Sequence, residues 1–249
     1  MITISLIGIG CGDPRQLTLA AVEAINAADV ILIPRKGEEK SDLAELRRQI
    51  CAAVLTSSKP RMIEFDLPER DAQRDYRGSV DEWHDAVAAV WSREIGKHLG
   101  DSGRVAFLIW GDPALFDSSL RIARRLEPMP GIEVIPGITA IQALCAAHAI
   151  PLNEIGAPFL VTTGRRLREE GWPQAAETVV VMLDGGTAFQ MLDPAGLQIW
   201  WGAYLGMPHQ IVFSGPLAEV GAKIMEARAK ARAKHGWIMD SYILKRIPA

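Results

Sequence analysis

The chain has 249 residues, of which 49% are hydrophobic and 23% are charged, and its formal net charge is −3 at neutral pH. These proportions are typical of a soluble globular protein with one large domain or two modest ones, and they argue against intrinsic disorder. A slightly negative chain has no overall basic field that would recruit nucleic acid.

The three cysteines, Cys11, Cys51 and Cys145, are far apart, and no C-x-x-C pair or histidine at metal-ligand spacing accompanies them. We therefore expect a reducing cytoplasmic location and no metal. The first residues, "MITISLIGIG", lack the basic segment and long apolar run of a signal peptide. No later run approaches the ~20 apolar residues of a membrane span, so a membrane is not expected as a partner. Nucleic acid is not expected either, because the net charge is slightly negative.

Apolar runs of strand length alternate with amphipathic stretches of helix length, which is the pattern of an α/β protein. In the first half the pattern predicts strands at 2–8, 30–34, 61–67 and 104–113, and helices at 15–27, 41–55 and 79–99. In the second half it predicts strands at 132–136, 158–164, 178–183, 199–205, 210–215 and 240–247, and helices at 139–149 and 216–234.

The first half predicts a largely parallel sheet, whereas the closely spaced strands of the second half favour a mixed or antiparallel one. The segment "EPMPG" contains two prolines and a glycine, which is typical of a linker. We therefore expect an N-terminal α/β domain at 1–126 and a C-terminal α/β domain at 127–249.

The loop "GIGCGDPRQLT" follows the first predicted strand and carries glycines on alternate positions. A dinucleotide fingerprint requires G-x-G-x-x-G before a helix N-terminus that receives the pyrophosphate. Here the third glycine, Gly12, comes one residue early, and the Asp13 carboxylate would repel a phosphate. The spacing argues against a Rossmann site. It leaves either a turn that needs glycine for positive φ or a loop that serves another ligand.

Three more loops follow predicted strands: "WGDPALFDSS", "PGITAIQA" and "VVVMLDG". The carboxyl ends of strands in an α/β sheet converge on one ligand. Together with "YLGMPHQIVFSGPL" and "SYILK", these loops resemble in content and order the tetrapyrrole methylase family, from Ile4 to about Lys245. The resemblance implies two α/β domains that bind S-adenosylmethionine in a cleft between them.

The resemblance also implies which residues contact the cofactor and its product, S-adenosylhomocysteine. Gly111 would admit the ligand to the backbone, Thr139 and Ala140 would meet its amino-acid end, and Met182 would pack on the adenine or ribose. Taken singly, Met182 is typical of a core residue and Thr139 of a helix N-cap. Cys11 stands where the family pattern has proline, which changes the stiffness of that loop. The implied cofactor set is Cys11, Trp110, Gly111, Asp112, Leu115, Thr139, Ala140, Met182, Tyr204, Leu205 and Gly215.

Tetrapyrrole precursors carry many carboxylates, so the resemblance implies cations that face the substrate. The candidates that follow predicted strands are Arg35, Lys36, Lys40, Arg70, Arg74 and Arg165. Each of them is also compatible with an ordinary solvated surface. Siroheme-type relatives place a catalytic aspartate after the second strand, where this chain has Pro34, so that role is not transferred.

Within the family, "IPRKGEEKSDLAELR", "DLPERDA" and "WIMDSYIL" resemble cobalamin-pathway enzymes that methylate precorrin-5 at ring carbon 1 and release its acetyl group as acetate. Deacetylation would use a general base, for which Asp13, His209 and Asp240 are candidates. Asp112 is better explained as a residue that holds its loop by accepting backbone N–H groups.

Several alternatives stay open. One is a methylase of another tetrapyrrole position, of ribosomal RNA or of a modified histidine, and another is a non-catalytic nucleotide-binding module. Relatives with two such domains are homodimers, so a homodimer is expected. Trp172, Trp200 and Trp201 offer aromatic surface for the interface, or they belong to the core.

Overall fold

The computed structural model describes residues 1–35, 41–68 and 76–247. The chain divides into two compact units, Met1–Thr139 and Ala140–Ala249. The division differs from the expected boundary at 126/127, because the strand Gly131–Ile135 pairs with the first strand of the chain. Four predicted substrate residues, Lys36, Lys40, Arg70 and Arg74, lie outside the described residues.

The first unit contains a parallel five-stranded sheet with strands in the order β3-β2-β4-β1-β5. Its strands are β1 (Ile2–Gly8), β2 (Val30–Arg35), β3 (Arg61–Asp66), β4 (Gly103–Ile109) and β5 (Gly131–Ile135). Its helices are α1 (Leu19–Ala27), α2 (Ser41–Val54), α3 (Tyr76–Leu99) and α4 (Ser119–Ala123). A strand was predicted at each of these five places, but the predicted strand at 104–113 ends at Ile109, and the one at 132–136 was assigned to the second half.

Helix α1 begins four residues later than predicted. The Thr18 hydroxyl caps it by accepting a hydrogen bond from the Ala21 N–H at 3.0 Å, while Pro14–Gln16 form a separate 3-10 turn. Helix α4 was not predicted because five residues are too few to establish a helical period.

Alternate residues of the central strands enter two apolar cores, one on each face of the sheet. Leu6 and Phe107 belong to the core covered by α3, in which the Trp91 ring stacks on Phe107 with centroids 3.8 Å apart. Ile7 and Leu108 belong to the other core, which α1 and α2 cover. A sheet buried on both faces leaves its strand ends and their loops for ligand binding.

The second unit contains a five-stranded sheet in the order β6-β7-β10-β8-β9. Its strands are β6 (Phe159–Thr163), β7 (Thr178–Met182), β8 (Leu197–Ala203), β9 (Ile211–Pro216) and β10 (Asp240–Arg246), and its helices are α5 (Ala140–His148), α6 (Gly164–Glu170) and α7 (Leu217–His235). Only β6 and β7 pair in parallel, whereas the other pairs are antiparallel. The predicted combination of a parallel and a mixed sheet is confirmed.

Two details of the second unit differ from prediction. Strand β8 ends at Ala203 because Tyr204 adopts a φ of +51°, which does not fit a strand. Helix α6 was missed because its arginines and glutamates show no apolar period, although Thr163 caps it by accepting from the Arg166 N–H. Among the described residues, no helix has the length and apolar character needed to cross a membrane.

Candidate functional site

Three glycines bring the carboxyl ends of β4, β1 and β5 into direct backbone contact. Gly8 ends β1, while Gly111 and Gly137 lie just after β4 and β5. A Cβ at Gly137 would lie 2.1 Å from the Gly111 carbonyl oxygen, and a Cβ at Gly8 would lie 2.5 Å from the Gly137 nitrogen. This glycine junction, Gly8, Gly111 and Gly137, therefore presents peptide groups instead of side chains at the sheet edge.

Glycine is required at position 111 for a different reason than at Gly8 and Gly137. Its φ is +63°, and its N–H donates to the Gly10 carbonyl at 2.8 Å. A Cβ built there would meet the Thr139 Cα at 3.6 Å, which is an ordinary contact. The backbone conformation, and not a steric clash with the protein, thus selects glycine at this position.

The Asp112 carboxylate ties the two loops of this edge together. Its Oδ1 accepts from the Ala114 N–H at 2.8 Å, and its Oδ2 accepts from the Gly137 N–H at 2.9 Å. These bonds agree with the expectation that Asp112 holds its loop through backbone groups. They also fix the Gly111 peptide next to Gly137.

The other expected cofactor residues of the first unit are half-buried around this junction. Trp110 and Leu115 lie in the loop after β4, and Thr139 directly precedes α5. The Cys11 N–H donates to the Gln16 Oε1 at 2.7 Å, and burial raises the pKa of the Cys11 thiol to about 12. Cys11 is therefore a neutral thiol at physiological pH and has no nucleophilic character.

The expected cofactor residues of the second unit divide into two kinds. Ala140 and Met182 are half-buried, at the start of α5 and the end of β7. Tyr204 and Leu205 are buried, and the Tyr204 hydroxyl donates to the Trp237 carbonyl while its ring packs on Trp237. A ligand contact at Tyr204 would thus involve its backbone. A Cβ at Gly215 would lie 2.9 Å from the Val220 Cγ1, so this glycine packs β9 against α7.

Asp184 is a structurally important residue that the sequence analysis did not select. Its buried carboxylate accepts hydrogen bonds from the Arg168 guanidinium at 2.6 Å, from the Tyr242 hydroxyl at 2.6 Å, and from two backbone N–H groups of the loop after β7. Burial raises the pKa of Asp184, but these hydrogen bonds outweigh it and bring the pKa below its ordinary value. The signal available in the sequence was the "DGG" that directly follows an apolar strand.

The candidate carboxylate bases, Asp13 and Asp240, already have strong partners. The side-chain and backbone N–H groups of Arg15 bond the Asp13 carboxylate and lower its pKa. Asp240 accepts from the buried Arg228 guanidinium at 2.9 Å and from the Trp201 indole N–H at 3.0 Å. Both carboxylates are therefore occupied by hydrogen bonds, and for Asp13 the lowered pKa also weakens it as a base.

The third candidate, His209, lies in a group of aromatic rings. Its ring is half-buried and packs against Tyr204 with centroids 4.5 Å apart. It also stacks on His235 with centroids 4.4 Å apart. Within the described part of the chain, no group of His, Cys, Asp and Glu is suited to holding a metal ion.

The described candidate cations differ in their surroundings. Arg35 is half exposed, and its guanidinium lies 3.0 Å from the Asp66 carboxylate and 3.9 Å from that of Glu64. Arg165 is exposed on α6 and also has an interaction partner. The structure shows a further cation, Arg47 of α2, which is only 8% exposed. Its position on the apolar face with Leu43, Ala44, Ile50 and Cys51 was the sequence signal that could have identified it.

Parallel strands whose carboxyl ends meet in a glycine junction, beside a loop held by an aspartate, are typical of α/β proteins that bind a ligand at this edge. The chain belongs to the family of Tetrapyrrole (Corrin/Porphyrin) Methylases, whose pattern matches residues 3–221. It is 50% identical to a precorrin-6A synthase (deacetylating) from Sinorhizobium sp over 98% of this chain and 95% of that protein.

Solved structures agree with this membership. A cobalamin synthesis related protein (CobF) from Corynebacterium diphtheriae matches with a TM-score of 0.84 and 38% identity, covering 100% of both chains. A uroporphyrin-III C-methyl transferase from Thermus thermophilus, complexed with S-adenyl homocysteine, matches with a TM-score of 0.61 and 21% identity over 98% of this chain and 97% of that one. The latter likeness extends to the fold alone.

Proposed function

We propose that the protein is an S-adenosylmethionine-dependent C-methyltransferase that converts precorrin-5 to precorrin-6A. The reaction adds a methyl group at ring carbon 1 and releases the acetyl group as acetate. The observation that carries this proposal is the 50% identity to a precorrin-6A synthase over nearly the full length of both chains. The parallel and mixed sheets and the glycine junction are consistent with it.

S-adenosylmethionine, when bound, supplies a methyl group on a sulfonium centre to a nucleophilic carbon. The chain contributes by aligning the methyl group with the nucleophilic carbon and by excluding water. These two effects can lower the activation barrier by several kcal/mol. We propose that the first unit holds the cofactor with Cys11, Trp110, Gly111, Asp112, Leu115 and Thr139, and the second unit with Ala140, Met182, Tyr204, Leu205 and Gly215. The left-handed backbone of Gly111, where a Cβ would meet only ordinary contacts, supports this assignment.

The variant Gly111→Val is expected to bind S-adenosylhomocysteine at least about a hundredfold more weakly, because its side chain would fill the space beside this peptide. The measurement is isothermal titration calorimetry of the full-length protein. A valine at φ +63° also strains the backbone, at a cost of about 1–2 kcal/mol.

Gly100→Val is the matched control for this prediction. Gly100 has the same φ of +63°, but a Cβ there meets nothing within 4 Å. It should therefore lose similar stability and keep the affinity of the parent. Equal affinities of Gly111→Val and Gly100→Val would show that the loop after β4 does not meet the ligand.

Deacetylation requires water to add to a ketone carbonyl, and a base would assist that addition. Asp13 and Asp240 form ion pairs with Arg15 and Arg228, so we infer that they serve structure more than proton transfer. His209 is the third candidate, and neither of its ring contacts, with Tyr204 and His235, is with a carboxylate or a guanidinium. The base is therefore proposed from Asp13, His209 and Asp240, with His209 first.

The test of the proposed function is incubation with precorrin-5 and methyl-labelled S-adenosylmethionine, followed by mass analysis of the corrinoid and assay of acetate. We expect one label per corrinoid and one acetate per label. A labelled product that retains the acetyl group would favour a methylase of another position. Cofactor binding without any methyl transfer would favour a non-catalytic module.

We also propose a homodimer in the cytoplasm. The three cysteines are free, which suits a reducing compartment. Trp201 is buried in its own unit, so Trp172 and Trp200, which are half-buried, are the tryptophans of the expected set that remain for an interface. Light scattering at micromolar concentration is expected to give twice the chain mass, and a monomer would contradict the assembly.

A further inference from the structure

Strands β2 and β4 are neighbours whose outgoing connections run in opposite directions. The chain leaves β2 for β3 at one edge of the sheet and leaves β4 for β5 at the other edge. Open α/β sheets bind ligands at such a switch point, outside the carboxyl ends of the two strands. The carboxyl ends of β2 and β4 therefore flank the expected crevice of the first unit.

The two strands also separate at this end. Their ladder joins Val30–Leu32 to Val105–Phe107 and stops there. Beyond it, β2 continues to Arg35 beside β3, and β4 continues to Ile109 beside β1. The last residues of β4 consequently expose backbone groups on the side that faces β2.

The Arg47 side chain from α2 occupies this opening. Its Nε donates to the Leu108 carbonyl at 3.0 Å, on the separated part of β4, and its Nη1 donates to the Leu43 carbonyl at 3.2 Å. The guanidinium carbon lies 5.1 Å from the centre of the Trp110 ring, in the loop after β4. A charged group is thus fixed within the crevice, with less than a tenth of its residue surface exposed.

No carboxylate of the described residues forms an ion pair with Arg47. Asp117 and Cys51 are near enough to influence its charge, but the Asp117 carboxylate accepts a hydrogen bond from the Ser119 N–H. Burial lowers the pKa of Arg47 to about 10, so the group stays cationic at neutral pH. Within the described ranges its Nη2 donates no hydrogen bond, and the Trp110 indole N–H beside it is buried without an acceptor. Buried charges are normally paired, so this arrangement lacks an anionic acceptor.

We propose that Arg47, with Trp110 beside it, binds one carboxylate of the polycarboxylate tetrapyrrole substrate. A guanidinium binds a carboxylate through two parallel hydrogen bonds, which fixes direction as well as distance. Arg35 is a weaker candidate because Asp66 and Glu64 already neutralise it. The inference rests on the proposed function for the identity of the ligand, and it assigns Arg47 as the residue that sets the orientation of the ring.

The test is the binding of uroporphyrin III, a tetrapyrrole with eight carboxylates, to the full-length protein, measured by quenching of tryptophan fluorescence. Arg47→Met is expected to weaken this binding at least about tenfold, and Arg47→Lys by less, since a lysine keeps the charge without the two-point contact. S-adenosylhomocysteine affinity is expected to stay unchanged in both variants. In turnover, the KM for precorrin-5 should rise while that for S-adenosylmethionine does not.

Two further variants keep the test decisive. Arg93→Met removes an arginine of α3 whose ion pair within the described residues is with the adjacent Glu94, so it should bind uroporphyrin III as the parent does. Trp110→Phe keeps an aromatic ring but removes the indole N–H. It is expected to weaken binding by about threefold, even if Arg47→Met fails to fold.

Uroporphyrin III affinities of Arg47→Lys and Trp110→Phe equal to that of the parent would overturn the inference. So would a parent protein that binds S-adenosylhomocysteine but not uroporphyrin III. A parent that binds uroporphyrin III through Arg47 but does not methylate precorrin-5 would contradict the proposed function alone.

Discussion

Gly137→Ala is expected to destabilise the protein by about 3 kcal/mol or more and to reduce the yield of folded chain. The added Cβ would lie 2.1 Å from the Gly111 carbonyl oxygen and 2.7 Å from the Gly8 carbonyl carbon. Both neighbours are backbone atoms at the ends of paired strands, so neither can move aside as a flexible side chain would. The measurement is the midpoint of chemical unfolding followed by circular dichroism.

Gly96→Ala provides the control for this prediction. Gly96 lies within α3, and a Cβ there meets nothing within 4 Å. Alanine should therefore stabilise the helix by about 0.5–1 kcal/mol. If Gly137→Ala were as stable as the parent, the ends of β1, β4 and β5 could not be in backbone contact.

Asp184→Asn is expected to cost about 3–5 kcal/mol, because it leaves the Arg168 guanidinium without its carboxylate partner and replaces an acceptor of four hydrogen bonds. The carboxylate is buried and bonds two backbone N–H groups of the loop after β7, as well as Tyr242. Thermal unfolding at neutral pH should show the loss directly. Asp193→Asn is the control, since Asp193 is exposed and accepts a single hydrogen bond from the Ala195 N–H.

The Asp184 carboxylate also predicts how the stability of the fold depends on pH. The folded-state pKa of Asp184 lies below its ordinary value, so its ionised form stabilises the fold at every pH above the unfolded pKa of about 4. That contribution is lost as the pH falls through the folded-state pKa. The stability difference between parent and Asp184→Asn should therefore be constant from about pH 7 to pH 5 and shrink in stronger acid. A difference that grew in acid would contradict the assigned hydrogen bonds.

The sheets were predictable from the sequence because their strands are apolar runs of the right length with turn residues between them. The helix α6 was not predictable, because its charged residues show no apolar periodicity and its start depends on a single threonine N-cap. The compact units divide after Thr139 and not at the expected 126/127, and the proline-rich segment forms the loop between α4 and the edge strand β5. Local composition does not reveal which strand an edge strand will join.

The loops of the candidate site were found by their position after strands, but the roles of Arg47 and Asp184 were not. Arg47 lies on a helix and reaches β4 through its side chain, a contact across sixty-one positions of the chain. Asp184 fits only because Gly164 has no side chain, as a Cβ there would lie 2.1 Å from the Asp184 carboxyl carbon. Such pairings depend on tertiary structure, which neither spacing nor periodicity records.

The contacts among Gly8, Gly111 and Gly137 also bear on how a protein of this kind can diverge. Peptide groups are the same for every residue, so the surface that they form does not depend on the side chains around it. Neighbouring positions such as Cys11 and Leu115 are only half-buried and make no part of that backbone contact. Substitutions at these positions are therefore expected to leave the strand ends undisturbed. Single mutations in the loops are compatible with the fold in this way, while Gly8 and Gly137 exclude any larger residue.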